Sequence, residues 1–273
     1  MSKDNWFSID FDTPSCKLNF ANFKPVSKYE AINHTVRSIQ HDFPGKLVVA
    51  LSGGLDSEFV AETLYRWGVP FKPVIVDYKT NGAEAWNAYY WCREHHITPR
   101  VIELDEKFMR KALPFLARSA GTAYSSATDL VIAAAEPGYI ITGCPEPFVR
   151  ENCSDDKLDK FTSNDLYVST YDFTLTKAFP GQHPGSFFAY TPEMWYSMIK
   201  ELDYFKPVQL ALAEYYGLRP RPKVDALINL GSYIDIAREV NSTVPMHEIQ
   251  LGNKEELLRV AVAGGVVDSL PRN

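Results

Sequence analysis

The segment Ser52-Gly-Gly-Leu-Asp-Ser57 gathers two hydroxyls, two glycines and a carboxylate in one short turn. It follows the apolar run Leu47-Val-Val-Ala-Leu51 and opens an amphipathic segment from Glu58 to Trp67. A buried strand that stops at small residues and restarts as a helix makes a cradle for phosphate. Glycine lets backbone approach an anion closely, and the first helical N–H groups point at it. The Ser52 and Ser57 hydroxyls add side-chain donors, and successive loop N–H groups form an anion nest. Asp56 beside an anion requires a divalent cation between the two, which makes it the candidate Mg2+ ligand.

Spacing excludes other phosphate loops. A Walker A loop ends in Gly-Lys-Ser/Thr, and no lysine follows Gly53-Gly54. A dinucleotide fingerprint needs three glycines in G-x-G-x-x-G order. The segment resembles the PP-loop, S-G-G-x-D-S, of the N-type ATP pyrophosphatases. Within that family it is nearest in character to the 7-cyano-7-deazaguanine synthases and to synthetase domains of the asparagine synthetase type. The resemblance covers residues 47–57 firmly and 74–146 loosely.

It implies an α/β fold, a parallel sheet with helices on both faces, of the adenine nucleotide alpha hydrolase-like (HUP) type. It implies ATP as substrate, Mg2+, and cleavage to AMP and pyrophosphate. Ser52, Gly53, Gly54, Asp56 and Ser57 carry over as pyrophosphate and Mg2+ residues, with Ser52, Asp56 and Ser57 nearest the chemistry. Ala50 and Leu51 would lie beside the nucleoside. Val76 and Tyr78, in Val74-Ile-Val-Asp-Tyr78, would flank the adenine. That stretch and the helix bearing Glu84 are similar to the same region of the 7-cyano-7-deazaguanine synthases, although Lys79-Thr-Asn stands where those enzymes have Gly-Gln-Arg. Gly143, in Ile140-Ile-Thr-Gly-Cys-Pro-Glu146, would permit close approach over the ribose or an acyl-adenylate, with Glu146 turned to metal or acceptor; the other reading of this segment is a plain loop with a cis-prone Cys-Pro bond.

The elements that must position these residues follow from periodicity. Partly alternating strands are expected at Trp6-Phe-Ser-Ile-Asp-Phe11 and Leu18-Asn-Phe-Ala-Asn-Phe23. A capping box, Ser27-Lys-Tyr-Glu30, starts a helix carrying Ile32, Val36 and Ile39 on one face. Strands at residues 47–51, 71–76, 100–104 and 139–142 alternate with helices at 58–67, 82–95, 106–119 and 126–136, and that alternation predicts a parallel sheet. Trp86, Tyr89 and Tyr90 are placed on one side of their helix. Ligands of such sheets bind beyond the carboxyl ends of the strands, here Ser52, Asp77, Asp105 and Gly143. Beyond residue 150 the chain turns charged, then aromatic-rich over residues 161–190. Thr191-Pro192 starts a helix, and helices near 206–216 and 223–240 follow. The expected organisation is 1–45 N-terminal strands and helix, 46–150 the PP-loop core, and 151–273 a helical or irregular cap facing the acceptor.

Several residues carry two readings. Asp77 is a ligand contact or a turn cap at a strand end. Ser125, Ser126, Thr128 and Asp129 are an acceptor site or a plain helix start. Arg150, Lys177 and Lys223 are candidates for the cation that draws charge from pyrophosphate, or surface residues. His95-His96 are not a metal pair, because adjacent helical residues diverge by about 100°.

Composition limits the classes. The 273 residues carry 28 Lys+Arg against 34 Asp+Glu, a net charge of −6, so no global field favours nucleic acid. Arg219-Pro-Arg-Pro-Lys223 is a local basic run stiffened by proline. The four cysteines lack C-x-x-C spacing, and no apolar stretch approaches the ~20 residues of a membrane span. A reduced, cytoplasmic setting is expected, with a small-molecule or nucleotide-derived acceptor, a free or partner-delivered ammonia or amine donor, and scope for a homo-oligomer. Two other readings stand beside the adenylating ligase. One is sulfur transfer or a PAPS-reductase-like role using Cys144 and Cys153. The other is a non-catalytic nucleotide-binding or assembly protein using the aromatic-rich 167–204 stretch as a partner surface.

Overall fold

The computed structural model describes residues 6–10, 15–77, 82–103, 132, 135–136, 138–143, 148–150, 165–169, 185–203, 206–220, 248–250, 259, 262–264 and 266–268. β1 (Phe7–Asp10) pairs antiparallel with β2 (Ser15–Asn19), Phe7 opposite Leu18. The second strand therefore lies earlier than the expected 18–23. It ends where the Asn19 side chain accepts the Ala21 N–H at 2.9 Å, a local bond that turns the chain. Phe20 and Phe23 follow in that turn, buried edge to face at 5.6 Å.

Helix α1 (Lys28–Asp42) begins at the expected capping box: Ser27 accepts from the Glu30 N–H, and Glu30 accepts from the Ser27 N–H at 3.0 Å. Ala31, Ile32, Thr35, Val36 and Ile39 form its buried face. Truncating Ile39, which is fully buried, would cost about 2–5 kcal/mol.

β3 (Leu47–Ala50) leads through the glycine turn into α2 (Leu55–Arg66), then β4 (Phe71–Asp77), α3 (Gly82–Glu94), β5 (Arg100–Glu103) and β6 (Tyr139–Thr142). Further on come β7 (Phe148–Arg150), β8 (Asp165–Ser169) and β9 (Gly185–Ser186). The last described elements are α4 (Pro192–Glu201), α5 (Val208–Tyr216), β10 (Glu248–Gln250) and β11 (Val266–Asp268). The expected helices at 106–119, 126–136 and 223–240 lie outside the described residues, apart from isolated positions in the second.

The central sheet runs β5-β4-β3-β6-β9, parallel throughout. Consecutive residues Leu47, Val48 and Val49 are all buried. Neighbours along a strand face opposite sides, so the sheet is covered on both faces. This is the α/β architecture that the resemblance implies. The steps β3-α2-β4 and β4-α3-β5 move the same way across the sheet, and right-handed crossovers place α2 and α3 on one face. β6 returns to the other side of β3, so the strand order reverses between β3 and β6.

Pro73 sits inside β4 without breaking the sheet. Leu51 N–H donates to the Val74 carbonyl at 2.9 Å, so Val74 faces β3 and Pro73 faces the β5 side. β5 pairs only from Val74 onward, so no ladder bond is lost.

Two antiparallel three-stranded sheets, β1-β2-β11 and β10-β8-β7, are also present among the described residues. α4 starts at the expected Thr191-Pro192: the Thr191 hydroxyl accepts the Met194 N–H at 3.3 Å and bonds the Thr35 hydroxyl of α1 at 2.7 Å. α5 ends at Gly217, whose left-handed φ of 67° suits glycine.

Candidate functional site

β3 stops at Ala50, Leu51 is buried, and the chain turns sharply at Gly53, where φ is +89°. A Cβ on Gly53 would stand 1.9 Å from the Glu84 carbonyl oxygen and 3.1 Å from the Ala88 nitrogen. This glycine is required by the packing of the turn on α3. Gly54 differs: its φ is −76°, and a Cβ there would meet only the Ser52 hydroxyl at 3.5 Å.

α2 begins at Leu55, not at Glu58 as periodicity suggests. Asp56 and Ser57 are therefore first-turn helical residues. Hydrophobic spacing locates the middle of a helix better than its start, because first-turn residues need no apolar face. The N-cap, Gly54, supplies no side-chain oxygen, and the first-turn acids are Asp56 and Glu58. Both carboxylates favour the positive end of the helix.

The two hydroxyls are tied within the turn. Ser57 Oγ donates to the Gly54 carbonyl at 3.0 Å and lies 3.0 Å from Ser52 Oγ. Ser57 has one hydroxyl proton, so Ser52 is the donor between the two. Ser52 Oγ in turn accepts the Gly54 N–H at 3.3 Å. The Ser52 side is exposed and Ser57 is buried.

The other predicted positions converge on this turn to different degrees. Gly143, directly after β6, is buried, and a Cβ there would stand 2.6 Å from the Asp56 carbonyl carbon and 2.8 Å from the Ser57 nitrogen. The close approach that Gly143 permits in this structure is to the start of α2. Val76 is buried in β4. Two residues beyond Val74, it directs its peptide group to the same side, past the end of β3 and beside the turn. Asp77 accepts the Tyr89 hydroxyl at 3.2 Å, tying the end of β4 to α3. Burial, then the Asp77 charge and this bond, raise the Tyr89 phenol above its usual range.

α3 does not turn its aromatic side inward. Trp86 and Tyr90 are exposed, whereas Ala85, Ala88, Trp91 and Cys92 are buried. Small Ala85 and Ala88 let the helix come close to the Gly53 turn. His95 and His96 diverge as expected. His95 lies on Trp91 at 4.1 Å, with Nε2 2.9 Å from Glu62, while His96 is exposed at φ 55°.

Tyr78, Asp105, Ser125, Ser126, Thr128, Asp129, Cys144, Glu146, Cys153, Lys177 and Lys223 lie outside the described residues, as does the side chain of Arg150.

One residue that sequence reasoning missed touches the turn. Tyr216, the last residue of α5, donates its hydroxyl to Asp56 Oδ1 at 2.5 Å. Its ring stacks on Phe59 of α2 at 4.5 Å and on Phe188 at 5.5 Å. No spacing in the sequence joins positions 160 residues apart.

Among the described residues no group of three or more His, Cys, Asp or Glu could hold a metal ion. A single carboxylate at the head of a helix suits Mg2+, which keeps its waters and takes one or two carboxylates together with substrate phosphates. The donor set at Asp56 fits an ion carried on a polyphosphate. Among the described residues, too, no helix is long and apolar enough to cross a membrane.

No protein-family model matches the chain, and no curated protein matches it. Solved structures similar to it include NMN synthetase from Francisella tularensis, 14% identical, covering 81% of this chain and 97% of that one at a TM-score of 0.34. The NH3-dependent NAD synthetase from Campylobacter jejuni is 16% identical and covers 86% of this chain and 88% of that one at a TM-score of 0.35. The U34-tRNA thiolase NcsA from Methanococcus maripaludis is 14% identical and covers 86% and 79% at a TM-score of 0.37. The Ser52-Gly-Gly-Leu-Asp-Ser57 turn resembles, in sequence, the PP-loop of the ATP pyrophosphatases.

Proposed function

We propose that this chain binds ATP with Mg2+ at the carboxyl edge of its parallel sheet and cleaves it to AMP and pyrophosphate. An oxygen of a carboxylate or amide-type acceptor attacks the α phosphorus, and the bond to the bridging oxygen of pyrophosphate breaks. A nitrogen nucleophile then attacks the activated carbon, and AMP leaves. The observation that carries this reading is the placement of the turn. It opens a helix without a side-chain cap, at the point where the strand order β5-β4-β3-β6-β9 reverses. Open α/β sheets bind their ligands at such a reversal.

In this reading the backbone of Gly53 and Gly54 and the first turn of α2 hold the β and γ phosphates. Ser52, exposed at the rim, turns its hydroxyl from Ser57 to a phosphate oxygen. Asp56 would hold the Mg2+, an ion that would supply positive charge beside the β and γ phosphates. Val76 and Tyr78 flank the adenine, and Ala50, Leu51 and Gly143 border the nucleoside. The acceptor is a small molecule or a nucleotide derivative, the amine is free or delivered by a separate protein, and the setting is cytoplasmic.

The test is incubation with ATP, Mg2+ and panels of carboxylic acids with ammonia or amines, followed by nucleotide analysis. AMP and pyrophosphate are expected. ADP and phosphate as the products would refute the reading.

A further inference from the structure

We infer that Tyr216 is a positioning residue that fixes the Asp56 carboxylate for the cation of a bound nucleotide. The inference rests on the proposed function and assigns it a residue from outside the 46–150 core. Two independent restraints set where the Tyr216 hydroxyl lies. Its backbone is the end of α5, closed by left-handed Gly217, whose N–H donates to the Glu214 carbonyl at 3.2 Å. Its ring is held against Phe59 and Phe188, which themselves stack at 5.8 Å with planes 13° apart.

The adjacent Tyr215 turns the other way and anchors the helix. Its hydroxyl bonds Ser197 of α4 at 3.1 Å, and its ring and carbonyl both engage the Lys28 ammonium of α1. α5 is therefore fastened to the body through Tyr215 and presents Tyr216 to the turn.

A hydroxyl donating to a carboxylate makes a short, strong bond. Here it fixes the Asp56 carboxylate about χ2, a torsion that is otherwise broad for aspartate. Phe59 is on the same helix as Asp56, one turn later, so ring and carboxylate form one unit with Tyr216. An aspartate held in this way meets a Mg2+–triphosphate without paying to be ordered first.

The test measures binding of α,β-methylene-ATP, which cannot be cleaved at the α–β bridge, by calorimetry across a Mg2+ titration and in EDTA. Tyr216→Phe keeps the ring stack and removes the donor. The Mg2+ concentration giving half of the affinity gain is expected to rise about tenfold, the loss of one charge-assisted hydrogen bond, while affinity in EDTA stays as in the parent. Asp56→Asn supplies a second background: there Tyr216→Phe is expected to change the Mg2+ response no further. An unchanged Mg2+ response in Tyr216→Phe overturns the inference. So does equal weakening with and without Mg2+, or additive effects of the two substitutions. A parent that binds the analogue with no Mg2+ dependence, or not at all, overturns the proposed function and this inference with it.

Discussion

Gly143 and Asp56 are packed so closely that the Asp56 backbone occupies the space a side chain at Gly143 would need. A methyl on Gly143 would stand 2.6 Å from the Asp56 carbonyl carbon and 2.9 Å from its Cβ. Those neighbours are backbone and a stem carbon in a first helical turn, which cannot step aside without moving α2. Gly143→Ala should therefore cost about 1–3 kcal/mol, the usual range for overpacking, and displace the phosphate turn. A lowered melting temperature together with weakened ATP binding is the expected result. Unchanged values of both would show that β6 and α2 separate readily.

The two glycines of the turn should respond differently. Gly53→Ala meets the Glu84 carbonyl at 1.9 Å in a φ of +89°, where a side chain adds backbone strain of about 1–3 kcal/mol. It is expected to yield little folded protein. Gly54→Ala meets nothing closer than 3.5 Å and should fold like the parent. If Gly54 lies against phosphate, that well-folded variant loses ATP affinity. Circular dichroism and calorimetry on the pair separate packing from ligand contact.

The legible part of the fold was the part with local causes. The apolar run of β3, the glycines after it, the Ser27–Glu30 capping box and the Thr191-Pro192 start each act within a few residues, and each is found where the pattern puts it. Periodicity places the start of α2 three residues late because polar Asp56 and Ser57 separate buried Leu55 from the apolar face that Phe59 and Val60 announce. β9 is two residues long, too short for any alternation to register. β11 joins β2 from the far end of the chain, a pairing that no local signal announces. The site was legible to the same extent. The turn itself could be read, whereas Tyr216 reaches it through tertiary packing. The shared side of Trp86 and Tyr90 could be read from spacing, but that it faces outward could not, because Ala85 and Ala88 do the packing on the opposite side.

Cys92 is buried in α3, and burial pushes its thiol up to about 11. At pH 8 the thiolate is scarce and shielded, so iodoacetamide should label the native protein at Cys92 far more slowly than the unfolded chain. Peptide mapping reads the site directly. Equal labelling rates in both states would mean that α3 opens freely.

Glu62 links α2 to α3. It accepts from Arg66 at 2.6 Å and from the Trp91 indole at 3.0 Å, and lies 2.9 Å from His95. Burial raises its carboxyl, but the Arg66 and Trp91 hydrogen bonds and the Arg66 and His95 charges outweigh that and leave it lowered. A lowered folded value means the folded state gives up this proton more easily than the unfolded chain does. The stabilisation is present above the unfolded value of about 4.3 and is lost as pH falls through the folded one. Urea midpoints should drop on acidification across that window. Glu62→Gln is expected to flatten the drop, and an unaltered slope would place its origin elsewhere.

The small strand Gly185–Ser186 lies along the edge of β6, yet it emerges from the ribosome only after the whole stretch of chain between the two strands. At about 5–20 residues per second, the nascent chain spends an interval on the order of seconds with that edge lacking its native partner. An open parallel edge is a template for mispairing between chains. During translation this protein therefore passes through a vulnerable stage, and anything that slows elongation across the intervening stretch lengthens it.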